Sequence, residues 1–428
     1  MIRTSRVPAT LVLLALPALA AAQPGGSSTA ARSAPIANVG YTVRIDQASA
    51  ARRLIHVEMR FDASGAAPIL LSLPAWTPGA YEISNFARWV TGFSAARGAR
   101  ALDWDKLDPD TWRIRDAGPG PVVVRFDYRA DSLDNAMAWT KPDFALFNGT
   151  NLFLYPEGGP LDYPATVTVQ TDVAWRVVTG MHATGVNRFS ATNYHDLVDM
   201  PFFVGMFDVD SQQVSGKWTR LATYPAGSLA GSARAEVWSQ LQQVIPSEVA
   251  VFGEAPWEHY TVMQIADPSY GGASGLEHQN SHVDVITPAA IGSEFMPSLY
   301  AHEIFHAFNV KRLRPAGLWP YAYDRPQPTT LLWMSEGITD YYADLAMVRG
   351  KVVNADGFYM LTSGKIGEVQ SAPAVALEDA SLSTWIHPVD GTGYIYYPKG
   401  SLAGFLLDIM IRDARNKRRG LDDVMRAL

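Results

Sequence analysis

The sequence contains no cysteine. This excludes disulfides, so stability must come from packing or a bound metal, and it removes the acceptor for a bacterial-type lipid anchor. Positive charge is not in excess either. Lys and Arg number 35 against 42 Asp and Glu, for a formal net charge of −7, so nothing electrostatic points to nucleic acid or anionic membrane as a partner. No internal repeat is visible. The apolar run at the N-terminus, Leu11 to Leu19, falls well short of the roughly 20 residues that span a bilayer.

What is present is the composition of a folded protein. The chain is 48% hydrophobic and 18% charged, with 12 Trp and 18 Tyr, which is ample for large cores and excludes a mostly disordered chain. Its 428 residues suggest two or three domains. Arg3 and Arg6, the Leu11–Leu19 run and the small residues Ala20-Ala21-Ala22 follow one another as in a secretory signal peptide, assigned to residues 1–22. The expectation is therefore a periplasmic or secreted protein with no stable membrane insertion once the signal is removed.

Residues 23–36, rich in Gly, Ser, Ala and Pro, read as a flexible leader. Beyond them the pattern has period two. Tyr41, Val43 and Ile45 alternate with polar residues, as do Ile55, Val57, Met59 and Phe61, and later Val122, Val124, Phe126 and Tyr128. This predicts a β-sandwich-like domain over 37–210. A linker is expected over 211–230, and a mostly helical domain with a small sheet over 231–428, giving an α+β multidomain chain. The expected helices cover 232–252, 289–313, 330–348 and 400–413, with strands at 260–265 and 282–286.

Within the second helical stretch lies His302-Glu303-Ile304-Phe305-His306. Two histidines at i and i+4 on a helix point the same way and can ligate one zinc ion, with Glu303 between them facing the attacking water. Five residues of this kind also occur in unrelated helices, so the context matters. Some 30 residues on, a helical segment with apolar Leu331, Leu332 and Trp333 carries Glu336, which would complete a His2Glu set and leave the fourth position open, as catalytic zinc requires. Asp340, one turn further, could accept the free ring N–H of His302 and fix its tautomer. The remaining histidines, His56, His182, His195, His259 and His387, lack partners at ligand spacing. His278 and His282 are four apart but fall in a turn and a strand, and are not assigned to a metal.

The segment His302 to Pro315, with its Asn309-Val310-Lys311-Arg312 extension, resembles the motif helix of the bacterial glycyl aminopeptidase family, zinc metallopeptidases with a thermolysin-like catalytic domain that often carry a PDZ domain. Ser335 to Tyr342 resembles the family's third-ligand segment, and Gly275-Leu276-Glu277-His278 its amino-terminus-binding segment. In the β-rich half, Leu73 to Tyr81 and Phe147 to Phe153 are also similar to it. The resemblance implies that Gly275 and Glu277 bind substrate, with Glu277 taking the α-ammonium. It implies that Tyr397, in Tyr397-Pro398-Lys399-Gly400, hydrogen-bonds the developing oxyanion, with Tyr394 and Tyr396 close enough to leave the choice open. It also implies zinc as cofactor, Glu303 as general base, and peptides beginning with Gly or Ala as substrates.

Two departures from the family stand out. Ser274 occupies a place where glycine is expected, and the chain ends at Leu428 inside what reads as a fresh helix after Leu421-Asp422-Asp423, where family members continue and often add the PDZ domain. A thermolysin-like endopeptidase, in which Glu277 plays no part in recognition, and a non-enzymatic periplasmic peptide-binding protein with a vestigial motif are the competing readings. Bound zinc separates the enzymes from the binding protein. Preference for a free N-terminus separates the two enzymes.

Overall fold

The computed structural model describes residues 31–428, so the expected signal peptide at 1–22 lies outside the described residues, as does the leader at 23–36 up to residue 30. Residues 33–36 are already part of the fold. Ser33 is buried and its N–H donates to the Glu157 carbonyl, while Ile36 opens the first strand.

The period-two segments are the middle of an eight-stranded sheet. Ile36–Arg44, Leu54–Ala63 and Gly120–Arg129 run antiparallel side by side, and Ile36–Arg44 also pairs in parallel with Ala165–Gln170. Their register sets Tyr41 opposite Met59 and Met59 opposite Val124, and likewise Val43, Val57 and Phe126, so every alternating apolar residue falls on one buried face. Two four-stranded sheets cover this face, one built on Phe144–Asn148 and Pro201–Gly205, the other on Ile69–Ser72 and Thr111–Ile114. Aromatic rings fill the space between. Tyr41 meets Phe153 at 4.7 Å between ring centres, and Phe147 stacks on Phe202 at the same distance.

The stretch expected to be a linker, 211–230, is mostly sheet. Asp208–Val214 and Lys217–Tyr224 form a hairpin whose second strand pairs in parallel with His259–Ala266, which in turn pairs with Ser281–Ile286. The helix Gly231–Phe252 makes the crossover between the first two of these parallel strands. The resulting five-stranded sheet is buried on both faces. Met263, Ile265, Val283 and Val285 pack on Phe144 and Phe203 of the β-rich half, while Tyr260, Val262 and Ile286 pack on Trp238, Leu241, Tyr300 and Ile304 of the helices. That sheet is the shared middle layer through which the two halves are joined.

The motif helix is Met296–Phe305, much shorter than the expected 289–313. After His306 the chain turns back on itself. Val310 takes a positive φ of 97°, its N–H bonds the Leu313 carbonyl, and Asn309 bridges to Leu313. The third-ligand segment is a π-turn, Trp333–Gly337, that runs into the α-helix Ile338–Arg349. The helices Ala355–Ser371 and Tyr396–Ala414 pack over these, and Leu421–Ala427 forms the expected fresh helix. Among the described residues no helix is long and apolar enough to cross a membrane.

Candidate active site

His302 and His306 leave the end of the motif helix on the side facing the π-turn. Their Nε2 atoms are 2.9 Å apart, and Glu336 Oε2 lies 3.4 Å from the first and 3.2 Å from the second. Three donors each about 2.0–2.1 Å from one tetrahedral zinc stand about 3.3 Å from each other. The spacing and the N2O donor set fit that ion.

Partners on the far side of each donor fix which atom faces the centre. Nδ1 of His306 donates to the Asn309 carbonyl at 3.0 Å, which leaves Nε2 as the free lone pair. The turn after the helix thus has a function: it brings that carbonyl back under the ring. The Asn309 amide in turn donates to the carbonyls of Met334 and Ser335 and to Thr339 Oγ1, tying the first two ligands to the third. Asp340 lies 3.7 Å from His302 Nδ1, an ion-pair distance rather than the hydrogen bond expected of it. Lys365, from the helix Ala355–Ser371, grips Asp340 at 2.7 Å and Asp344 at 2.6 Å.

The β-rich half supplies part of the centre. Tyr81 Oη donates to Glu336 Oε1 at 2.6 Å, leaving Oε2 as the single atom turned to the histidines. Burial, reinforced by the Glu336 carboxylate, raises the Tyr81 phenol well above its usual pKa, so it remains a donor. For Glu336 burial works the other way from its neighbours, and the imidazoles of His306 and His302 prevail, holding the carboxyl well below the usual range. Tyr81 is reached by a loop anchored to the opposite half, with the Ala75 N–H on the Tyr323 carbonyl and the Trp76 indole N–H on the Ala322 carbonyl.

Glu303 is buried against Gly275, where a Cβ would stand 2.2 Å from Glu303 Oε1, so only glycine allows the approach. Burial pushes the Glu303 carboxyl up to about 7, against the opposing pull of His302 and His306. The strand edge carrying Gly275 is pinned from the β-rich half by Asn135, whose amide donates to the Gly275 carbonyl at 2.6 Å and to Ser274 Oγ at 3.2 Å. Ser274, the departure from glycine, also shares a hydrogen bond with Tyr270 Oη at 2.6 Å.

Glu277 lies beside Glu303 and His306, with one donor atom of each within 4.8 Å of the others. It is 4% exposed, and its Oε1 has no hydrogen-bond partner among the described residues. Gly79 of the β-rich half approaches so closely that a Cβ there would be 2.6 Å from Glu277 Oε2. Of the three tyrosines, Tyr397 is the one over the centre, its ring 5.9 Å from that of His302, whereas Tyr394 is 72% exposed and Tyr396 is packed into the core. Burial and then Glu336 raise the Tyr397 phenol well above its usual pKa and keep it a donor.

The two histidines of the pair four apart go to separate partners, His278 to Asp199 at 3.1 Å and His282 to Tyr260 Oη at 3.0 Å. The sequence pattern does not single out Asn135 and Lys365, and it gives Asn309 and Lys311 a place in the resemblance but no role. Tyr81, Asn309 and Lys311 stood inside stretches that resemble the family, which was the one available signal.

Two imidazoles and a carboxylate converging on one point, with a second carboxylate on the same helix, on a β-sandwich joined to a helical half, define a metallopeptidase. The chain belongs to the M61 glycyl aminopeptidase family: the peptidase M61 N-terminal domain matches residues 41–206 and the M61 glycyl aminopeptidase domain residues 296–403. An aminopeptidase N family protein from Idiomarina loihiensis superposes with a TM-score of 0.84 at 25% identity, over 91% of this chain and 69% of that one. An M1 zinc metallopeptidase from Deinococcus radiodurans shares the fold at a TM-score of 0.55 and 13% identity, over 93% of this chain and 86% of that one. A mutant of that enzyme bound to a Tyr-Ser-Ala substrate gives 0.53 at 14% identity, over 93% and 87% of the two chains. Curated protein sequences give no match.

Proposed function

We propose that this protein is an exported zinc aminopeptidase that removes small N-terminal residues, Gly or Ala, from peptides. His302, His306 and Glu336 would hold the ion, which supplies a Lewis acid for the scissile carbonyl and acidifies water. Glu303 would take a proton from the attacking water as its oxygen bonds to the carbonyl carbon, and then deliver that proton to the leaving amine as the C–N bond breaks. Tyr397 donates a hydrogen bond to the oxyanion that develops on the carbonyl oxygen. Glu277 receives the substrate's α-ammonium and so fixes the first peptide bond at the centre.

The observation that carries the exopeptidase reading is the Glu277 carboxylate, buried beside Glu303 with an unpartnered oxygen. Lys311 stands 3.9 Å from that oxygen, too far to hydrogen-bond it, so the acceptor is left for a cation with N–H donors, and a peptide's free N-terminus is one. Export is supported by the basic, apolar and small-residue succession over residues 1–22. The preference for Gly or Ala is supported by the family alone. The test is a panel of aminoacyl and acetylated peptides assayed with chelator, without it, and after zinc is restored. Free Gly- and Ala-initiated peptides should be cleaved best, and activity should vanish and return with zinc. Equal cleavage of acetylated peptides would favour the endopeptidase reading and take Glu277 out of recognition.

A further inference from the structure

Next to Glu277 lies a second buried carboxylate with a cation between them. Lys311, 3% exposed, comes from the turn after the motif helix, where its N–H bonds the His306 carbonyl. Its ammonium lies 2.9 Å from Asp199 Oδ1 and 3.9 Å from Glu277 Oε1. The shorter contact is a charge-assisted hydrogen bond. The longer one is an ion pair without a hydrogen bond.

Asp199 belongs to the β-rich half, where it caps the short helix Tyr194–Val198, and it is held from two further directions. Its Oδ1 meets His278 Nδ1 at 3.1 Å and its Oδ2 accepts the Gln279 N–H at 3.2 Å. Burial keeps the His278 imidazole below its usual pKa, so it adds no lasting positive charge. Although burial opposes it, Asp199 and then Glu277 hold the Lys311 pKa above its usual value, so that group stays a cation. One cation thus serves two carboxylates, and the carboxylate it fails to hydrogen-bond is the one that faces the centre.

We propose that Asp199 sets the enzyme's demand for a free N-terminus by holding Lys311 off Glu277. This rests on the reading of Glu277 as the ammonium acceptor. Lys311 is itself a primary ammonium, about 1 Å from the hydrogen-bond distance at which it would stand in for the substrate. With Asp199 anchored by His278 and Gln279, that ammonium is retained at the back of the pocket, and Glu277 keeps an acceptor open for the substrate. Asp199 and Lys311 are positioning residues, acting on substrate only through Glu277.

Two substitutions should move selectivity in opposite directions. In Asp199→Asn the neutral amide no longer competes, Lys311 closes on Glu277, and the ratio of kcat/KM for free over acetylated peptide should fall about tenfold or more, chiefly through KM of the free peptide. In Lys311→Met the internal rival is gone, and the same ratio should rise by about threefold or more. In the double variant no rival is left for Asp199 to hold back, so the ratio should match that of Lys311→Met. Zinc content is measured in each to confirm that the centre is intact. A packing defect would depress both substrates together, so an unchanged ratio in either single variant overturns the proposal, and each single variant decides the matter alone if the other does not fold. Equal cleavage of the two peptides by the wild type would overturn the aminopeptidase reading and this inference with it. Discrimination by the wild type that survives Asp199→Asn would overturn this inference only.

Discussion

In the proposed mechanism Glu303 and Tyr397 do different work, and isosteric changes separate them. Glu303→Gln keeps the shape pressed against Gly275 but cannot accept a proton, so zinc should remain bound while kcat falls by about 10²- to 10⁴-fold. Metal analysis alongside single-turnover kinetics checks both halves of that statement, and near-normal turnover with zinc present would remove Glu303 from proton transfer. Tyr397→Phe deletes one hydrogen-bond donor beside His302 and should lower kcat by about 10²- to 10³-fold, whereas Tyr394→Phe, at a ring 72% exposed, should leave it near wild type. The reverse ranking would mean that the oxyanion lies elsewhere. At this scale the sequence was legible where chemistry is local. The i, i+4 histidines with Glu303 between them can be read along one helix, and Glu336 follows from its apolar approach. Lys311 could not be read that way, because a lysine in a polar extension looks solvated until the fold brings Asp199, 112 residues away, against it. The choice among Tyr394, Tyr396 and Tyr397 likewise waited on the packing of the helix Tyr396–Ala414 over the π-turn.

Among the elements, alternation identified the strands of the β-rich half because one face of each is buried and the other is polar. The hairpin starting at Asp208 escaped for the same physical reason. Its first strand is at the edge of its sheet, with Asp210, Ser211 and Gln213 exposed to solvent, so its pattern resembles a polar linker. The expected end of the motif helix at 313 lies beyond the observed Phe305 because Ala307 to Leu313 carries helix-compatible residues. The hydrogen bonds of Asn309 to the π-turn override that propensity. The helix Gly231–Phe252 matches the expected 232–252, and Glu248 continues the Val237, Leu241, Val244 spacing onto its buried face, where a carboxylate is not expected. Glu248 is 1% exposed, and neither carboxylate oxygen has a hydrogen-bond partner among the described residues. Burial raises its pKa well above the ordinary 4.5. Above pH 4.5 the folded chain therefore holds a proton that the unfolded chain releases, and this costs more stability as pH rises through the window between the two pKa values. Glu248→Met removes the group and should stabilise the protein by about 1–3 kcal/mol at neutral pH, with a smaller gain near pH 4. Denaturant unfolding at the two pH values measures this, and a loss of stability at neutral pH would show that Glu248 has a partner it needs.

For the whole molecule, the β-rich half and the helical half make one site, and Tyr81 shows how directly. It stands 255 residues from Glu336 in sequence and donates to its Oε1 at 2.6 Å, while Oε2 is left facing His302 and His306. A donor on the outer oxygen keeps the carboxylate from swinging into a bidentate or solvent-facing arrangement and prepares the three-donor geometry before any ion arrives. The loop that delivers Tyr81 is fastened to the helical half through Ala75 and Trp76, so the contact depends on the two halves being joined through their shared sheet. Tyr81→Phe keeps the ring and removes only the hydroxyl. Zinc affinity of the metal-free protein, read by competition with a chromogenic chelator, should fall by about 10- to 100-fold. Turnover at saturating zinc should fall less than in Glu303→Gln, because the proton-transfer group is untouched. Unfolding of the metal-free variant should stay close to wild type, since the ring still packs edge-on against Trp385 at 6.2 Å. Unaltered zinc affinity would mean that the β-rich half shapes the cleft without tuning the metal, and its contribution would then rest on Gly79 against Glu277, Asn135 on Gly275 and Asp199 on Lys311.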